Sequence, residues 1–240
     1  MSETNSHPIT TSVRQNLIKL GVTHTSKILL GVSGGMDSMV LLHVLKNLGY
    51  QVSAAHVNFN LRGTESLNDA LFVRKWSEDQ AIPFYELSKD TKRYAAENKL
   101  GTQEAARDIR YAWWEELVHQ HEFDFVATAH HLDDTIETML LNLFRGTGFK
   151  GLTGIPRKRD FYIRPLLDSS RDEIASYAET FGIPYRVDQS NETDHYQRNK
   201  LRHHLVPILR EMYPGWHTGM KHTLQRLNTE WETWQGMYAN

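Results

Sequence analysis

The chain has 240 residues, 40% of them apolar and 23% charged, with a formal net charge of −2 and no cysteine. That size and apolar share support one sizeable α/β core with an appendage, and the absence of cysteine excludes disulfides, thiolate metal sites and cysteine nucleophiles. No apolar run approaches the roughly 20 residues that span a bilayer, and the start, MSETNSHPITTSVRQNL, lacks the layout of a signal peptide, so a cytoplasmic location without a membrane partner is expected.

The first predicted strand, KILLGV (27–32), runs directly into SGGMDS (33–38) and then into an apolar helical pattern over 38–48. Strand, glycine turn and helix form a phosphate-binding arrangement. Gly34 and Gly35 let the backbone approach an anion closely, and the start of the next helix points free N–H groups at it. Ser33 and Ser38 add hydroxyl donors around Met36. Asp37 repels an anion but is a hard oxygen ligand for Mg²⁺ bridging phosphates, which makes it the metal candidate. No GK[ST] ending is present, so this is not a Walker A loop and transfer of the γ-phosphoryl group is disfavoured. A loop that grips the β and γ phosphates as a leaving unit suits attack at the α-phosphorus, giving an adenylated intermediate and pyrophosphate. The plainer alternative, a serine-capped Gly-Gly turn, fits a bare SGG better than it fits the whole hexapeptide.

Further along, VSAAHV (52–57) and IPFYEL (82–87) predict two more strands, and helical spacing recurs over 65–80 and 102–120. In the second of these helices, QEAARDIRYAWW places Arg107 and Arg110 three apart, where they either meet phosphate or pair with Glu104 and other surface acids. The strand FDFVATA (123–129) precedes HHLDDTIETMLLNLFRG, in which Asp133, Asp134 and Glu137 fall within one helical turn. These acids either cap the helix or hold Mg²⁺ or the ammonium group of an amino acid. His130 and His131 read as structural histidines, and no zinc-ligand spacing is present. GTGFKG (146–151) formally matches G-x-G-x-x-G but follows a helix instead of a strand, so it reads as a loop beside the site.

FYIRPLL (161–167) supplies a further extended piece, and from about 195 the pattern is helical to the end. The segment QRNKLRHHL brings Arg198, Asn199, Lys200, Arg202, His203 and His204 together, with no acid between His195 and Arg210. It is either a solvated helix face or a cradle for an RNA backbone. Charge is uneven: residues 1–144 hold 13 Lys/Arg against 18 Asp/Glu, whereas 145–210 hold 12 against 8, so the second stretch can face phosphates. The alternation of strands and helices predicts an α/β fold, a doubly wound parallel sheet with ligands at the carboxyl ends of its strands. This domain is expected over 1–190, with a helical extension, basic in its first part, over 191–240.

SGGMDS is the signature of the PP-loop ATP pyrophosphatases, of the adenine nucleotide alpha-hydrolase type of fold, and that resemblance implies ATP and Mg²⁺. The ordered strings SGGMDS, HVNFNLRGTES, QEAARDIRY, HHLDDTIETMLLNLFRGTG, IRPLLD and DQSNETDHYQRNKLRHHLVP together resemble the catalytic domain of the tRNA(Ile)-lysidine synthetase family. The resemblance implies ATP-binding residues Ser33, Gly34, Gly35, Met36, Asp37 and Ser38, and on the phosphate reading Arg107 joins them. It also implies functional carboxylates Asp134 and Glu137, substrate contacts from Arg110 and Asn199, and catalytic parts for Asp37, Arg198 and Arg202. The implied partners are L-lysine and a tRNA(Ile) with a CAU anticodon, with a homodimer allowed for. The implied chemistry is attack of the wobble cytidine 2-carbonyl oxygen on ATP, followed by displacement of AMP by the lysine ε-amine. Phe59 stands where many of the family carry a second histidine, so no catalytic role is expected there, and many family members continue well beyond this length. Among rivals, a tRNA thiolase would need cysteines for sulfur relay. An amide-forming relative would use ammonia, and a nucleotide-sensing module would not need the carboxylate helix.

Overall fold

A computed structural model describes residues 3–187 and 197–238, so the expected boundary near 190 lies outside the described residues. Two helices the sequence did not suggest come first, α1 (Glu3–Ser6) and α2 (Pro8–Lys19). Proline at its start and Ile9, Val13 and Leu17 on one buried face explain α2. The expected strands and helices follow: β1 (Lys27–Gly31), α3 (Met36–Asn47), β2 (Gln51–Asn58), α4 (Thr64–Asp79), β3 (Phe84–Ser88), then a short helix the sequence did not suggest, α5 (Thr91–Asn98), and the expected α6 (Thr102–His121), β4 (Phe125–Ala127) and α7 (Leu132–Phe144). After them come α8 (Phe149–Leu152), β5 (Lys158–Arg159), β6 (Tyr162–Ile163) and α9 (Arg171–Thr180). The C-terminal part holds α10 (Gln197–Lys200), a π-helical turn (Leu201–Leu205), α11 (Val206–Met212) and α12 (Trp216–Tyr238).

The six strands lie in the order β3-β2-β1-β4-β6-β5. Every pairing is parallel except that of β5 with β6. Strand β1 shows why the sheet is doubly wound. Ile28 and Leu30 join a core with α2, α3 and α9, whereas Leu29 between them joins Trp114, Leu117 and Val126 on the opposite face. Alternate side chains point to opposite faces, so a strand apolar at every position needs helices on both. The order reverses direction between β1 and β4, and a crevice opens there at the carboxyl ends of these two strands.

Two expectations need correction. FYIRPLL is extended only at Tyr162–Ile163, because the chain then turns, with Leu167 N–H donating to Arg164 O (3.4 Å) and Ser169 N–H to Leu166 O (2.8 Å). The C-terminal helical stretch is interrupted between Met212 and Trp216, where Pro214 and Gly215 stand. No described helix is long and apolar enough to cross a membrane.

Candidate active site

The glycine loop leaves β1 at the switch point. A Cβ on Gly31 would run into the Trp114 indole of α6, so only glycine lets that helix pack so closely. Gly34 sits at φ +89°, the left-handed region that glycine enters without strain. Ser38 Oγ donates to Gly35 O (2.9 Å) and accepts from Ser33 N–H (3.2 Å), while Gly35 N–H donates to Ser33 Oγ (3.2 Å). These bonds fix the loop so that the start of α3 faces a cavity of about 590 Å³, lined by Ser33, Asp37 and Ser38, by His56 and Val57 of β2, and by Arg107 and Arg110. Met36 packs against the hydrophobic core instead and anchors the loop.

Neither arginine of α6 forms an ion pair with Glu104 among the described residues. Arg107 lies over the Tyr111 ring at 4.5 Å, and Arg110 over the rings of Phe59 (5.2 Å) and Trp114 (5.9 Å). Burial lowers the Arg110 pKa, so a guanidinium held on aromatic faces lines the cavity without a carboxylate beside it. Phe59 thus helps to place Arg110.

On the other side of the crevice, β4 delivers His130 and His131. Burial brings His130 down to about 4, so it is neutral, with Nδ1 2.8 Å from Thr128 Oγ1. His131 is buried at the start of α7, its N–H donating to Asp134 Oδ2 (3.0 Å). Its ring Nε2 lies 3.8 Å from Asp37 and 3.5 Å from Asp134, and Nδ1 3.6 Å from Asp133. Burial alone would lower the His131 pKa, but the three carboxylates outweigh it and raise it. The ring read from sequence as structural therefore sits among the acids of the site. Its position directly after a strand at the switch point was the available signal.

The neighbouring acids differ. Asp133 accepts from Arg171 N–H (2.8 Å) and lies 2.8 Å from His217 Nε2 of α12; burial opposes its charge, yet these partners hold its pKa well below the usual range. The Asp134 pKa is also lowered despite burial, by the neighbouring His131 and Arg198. Asp37 is the exception: burial raises its pKa, Asp134 adds to the effect, and its Oδ1 is buried without a hydrogen-bond partner. An orphaned carboxylate oxygen beside a second carboxylate fits Mg²⁺, which takes one or two carboxylates and completes its shell with phosphate oxygens and water.

A second cavity, of about 370 Å³, is lined by Asp37, Gln103, His131, Asp134, Arg171, Arg198, Asn199 and Arg202. Asp37 and Gln103 line both cavities, so the two meet there. Glu137, 2% exposed, lines neither. Its carboxylate accepts from Arg202 Nε (2.8 Å) and Nη2 (3.0 Å) and pairs with Arg198 Nε (2.9 Å). Arg198 Nη2 also donates to Asp134 O (2.9 Å) and Thr138 Oγ1 (2.7 Å). The structure therefore brings Asp37, Asp134, Arg198, Asn199 and Arg202 together around the second cavity and sets Glu137, expected at the substrate, behind it against the two arginines. It adds Gln103 and His131, which open or lie within the strings QEAARDIRY and HHLDDTIET but were given no role from sequence, and Arg171, which no string marks.

Comparison with known proteins fits this geometry. A family model described as a PP-loop domain matches residues 6–209. The chain is 46% identical over 201 residues to a tRNA(Ile)-lysidine synthase of Porphyromonas gingivalis, covering 83% of this chain and 44% of that protein. It is 40% identical over 211 residues to the tRNA(Ile)-lysidine synthase of Bacillus subtilis, covering 85% and 44%. The chain thus spans less than half the length of these relatives. Among solved structures, a U34-tRNA thiolase from Methanococcus maripaludis with its [4Fe-4S] cluster superposes with a TM-score of 0.74 at 19% identity, covering 91% of this chain and 78% of that one. An NH3-dependent NAD synthetase from Campylobacter jejuni gives 0.52 at 16% identity, covering 92% and 93%. At such identities these two likenesses concern the fold.

Proposed function

The chain belongs to the PP-loop family, whose model covers it from residue 6 to residue 209, and we propose that it carries the chemistry of a tRNA(Ile)-lysidine synthetase. The observation that carries the proposal is the junction of the two cavities at Asp37, one lined by the glycine loop and the other crowded with carboxylates and arginines. ATP occupies the first, with its β and γ phosphates on the loop. The 2-carbonyl oxygen of the wobble cytidine of a CAU-anticodon tRNA attacks the α-phosphorus, and pyrophosphate leaves. Lysine occupies the second cavity, its ε-amine attacks the activated carbon, and AMP leaves with the loss of a proton.

The residues divide this work. Asp37 and Asp134 would hold Mg²⁺, which when bound neutralises charge on the phosphates. The lysine ammonium, with a pKa of about 10.4, arrives protonated and needs a carboxylate to draw it in before a proton is lost, and Asp134 is ionised and faces the cavity. The guanidinium groups of Arg198 and Arg202 lie beside the junction and suit an α-phosphate or an RNA backbone. Glu137 holds these two arginines in place. Sulfur delivery, the chemistry named for the thiolase, has no cysteine here to relay it.

The test is to incubate the protein with ATP, Mg²⁺, labelled lysine and a tRNA bearing a CAU anticodon, then digest and analyse the nucleosides. Lysine-modified cytidine is expected. Pyrophosphate release without labelled nucleoside would sink the substrate assignment and leave an adenylating PP-loop domain.

A further inference from the structure

Asp134 accounts for only one end of the amino acid in the second cavity. A carboxylate attracts any primary alkylammonium, and lysine differs from a plain diamine by the α-carboxylate at the far end of its four-carbon stem. Selecting lysine therefore calls for a cation in the same wall. A guanidinium suits that task, because its planar fork matches the two oxygens of a carboxylate.

Three arginines line this cavity, Arg171, Arg198 and Arg202. Two of them are committed to the protein: Arg202 donates to Glu137 through Nε and Nη2, and Arg198 pairs with the same carboxylate and donates to Asp134 O and Thr138 Oγ1. Arg171 differs. Among the described residues its guanidinium has no carboxylate and no hydrogen-bond partner. The neighbouring acids are engaged elsewhere, Asp172 with Arg210 Nη2 at 3.3 Å and Asp133 with His217 and with the Arg171 backbone. The Arg171 side chain lines the second cavity and not the nucleotide cavity. Its charge is felt there: burial raises the Asp37 pKa, and Arg171 is among the cations that oppose the rise.

The backbone beneath this free fork is rigid. Ser170 caps α9 reciprocally with Glu173, its N–H donating to Glu173 Oε2 (2.6 Å) and its Oγ accepting from Glu173 N–H (3.2 Å). Arg171 N–H donates to Asp133 Oδ2 (2.8 Å), and Leu132 N–H donates to Ser169 O (2.9 Å). The start of α9 is thus tied to the start of α7, the helix that carries Asp134. A cation and an anion mounted on two joined helix starts keep a set separation, which is how a site measures a ligand charged at both ends.

We propose that Arg171 binds the α-carboxylate of the amino-acid substrate and so determines the choice of lysine over amines that lack this group. The proposal rests on reading the second cavity as the amino-acid site.

The experiment is calorimetric titration of the full chain, with Mg²⁺ and ATP present, using L-lysine and cadaverine, the same diamine without the carboxylate. The wild type should bind lysine about 10-fold tighter than cadaverine, the low end for a charge-assisted hydrogen bond because Arg171 is exposed. Arg171→Ala should bring the two within about 2-fold of each other by weakening lysine alone. Arg171→Lys should keep part of the preference, since it restores the charge without the fork. The alanine variant retains the N–H that meets Asp133 and should melt with the wild type. An unchanged preference in Arg171→Ala would overturn the proposal, and so would equal losses for lysine and cadaverine, the mark of a merely structural role. Weakened tRNA binding with lysine affinity intact would also overturn it and give the guanidinium to an RNA phosphate. A wild-type chain that binds no lysine would overturn the reading of the second cavity as well.

Discussion

Replacing Glu137 with glutamine separates two roles that the sequence could not. The side chain is 3% exposed and makes three contacts of 2.8, 3.0 and 2.9 Å with Arg202 and Arg198. Removing one partner of a fully buried pair costs about 3–5 kcal/mol, because the other charge is stranded. Here the arginines are 37% and 23% exposed and can turn towards water, and glutamine keeps one acceptor oxygen. We therefore expect a loss of about 2 kcal/mol, which for a chain of this size lowers Tm by about 4–8 °C. The contrast is with Asp134→Asn, which should raise the KM for lysine because the cavity-facing charge is lost. Thermal melts and lysine titrations at saturating ATP on both variants decide the matter. A Glu137→Gln chain that melts with the wild type and matches Asp134→Asn in its lysine KM would refute the reasoning, since Glu137 would then face substrate and not hold the arginines.

Three further outcomes follow from the same geometry. Asp37→Asn should abolish Mg²⁺-dependent AMP formation yet modestly stabilise the ligand-free chain at pH 7: burial raises the Asp37 pKa, so its stabilising contribution is present below 3.8 and lost as pH rises through the folded value. A ligand-free melt no higher than that of the wild type would contradict this. Asp133 has the opposite sign: its pKa is lowered, so its contribution is present above 3.8 and lost as pH falls. Asp133→Asn should thus be less stable at pH 7 and show a flatter stability profile between about pH 5 and 2, measured by urea unfolding. Gly31→Ala should destabilise the fold by about 1–3 kcal/mol, because the added methyl overlaps the Trp114 indole, and an unchanged urea midpoint would contradict the close packing of β1 on α6.

The central strands β1, β2 and β4 were legible because each is a short, mostly apolar run buried on both faces, and β1 is the clearest case, whereas β5 is two exposed basic residues and gave no signal. Helix α2 was not legible either. Its pattern is diluted by Thr10 and Asn16, polar residues that are nonetheless buried, and Asn16 donates to Pro165 O (2.9 Å) across the fold. The glycine loop could be read because its parts are contiguous in sequence. Gln103 and Arg171 could not, since their membership of the site exists only once α6 and α9 bring them to the crevice. The ion pair of Asp69 with Arg186 spans 117 positions and leaves no local trace.

The pair Asp133-Asp134 shows why a local motif stops short of a role. From sequence the two acids either cap a helix or serve the site. In the fold the two side chains take different partners, and in Asp134 so do the two oxygens. Successive residues of a helix point about 100° apart, so one carboxylate turns to α9 and α12 and the other to the cavity. Asp133 meets Arg171 N–H and His217 and ties the C-terminal helix to the start of α7. Asp134 caps the helix through Oδ2, on His131 N–H, and leaves Oδ1 3.7 Å from Arg202 at the cavity wall. The cap is what makes the second oxygen useful: a carboxylate already fixed by a backbone N–H offers its free oxygen in one orientation. On the proposed reading, helix capping and ligand binding are two uses of one constraint, and a substitution at Asp134 should disturb both.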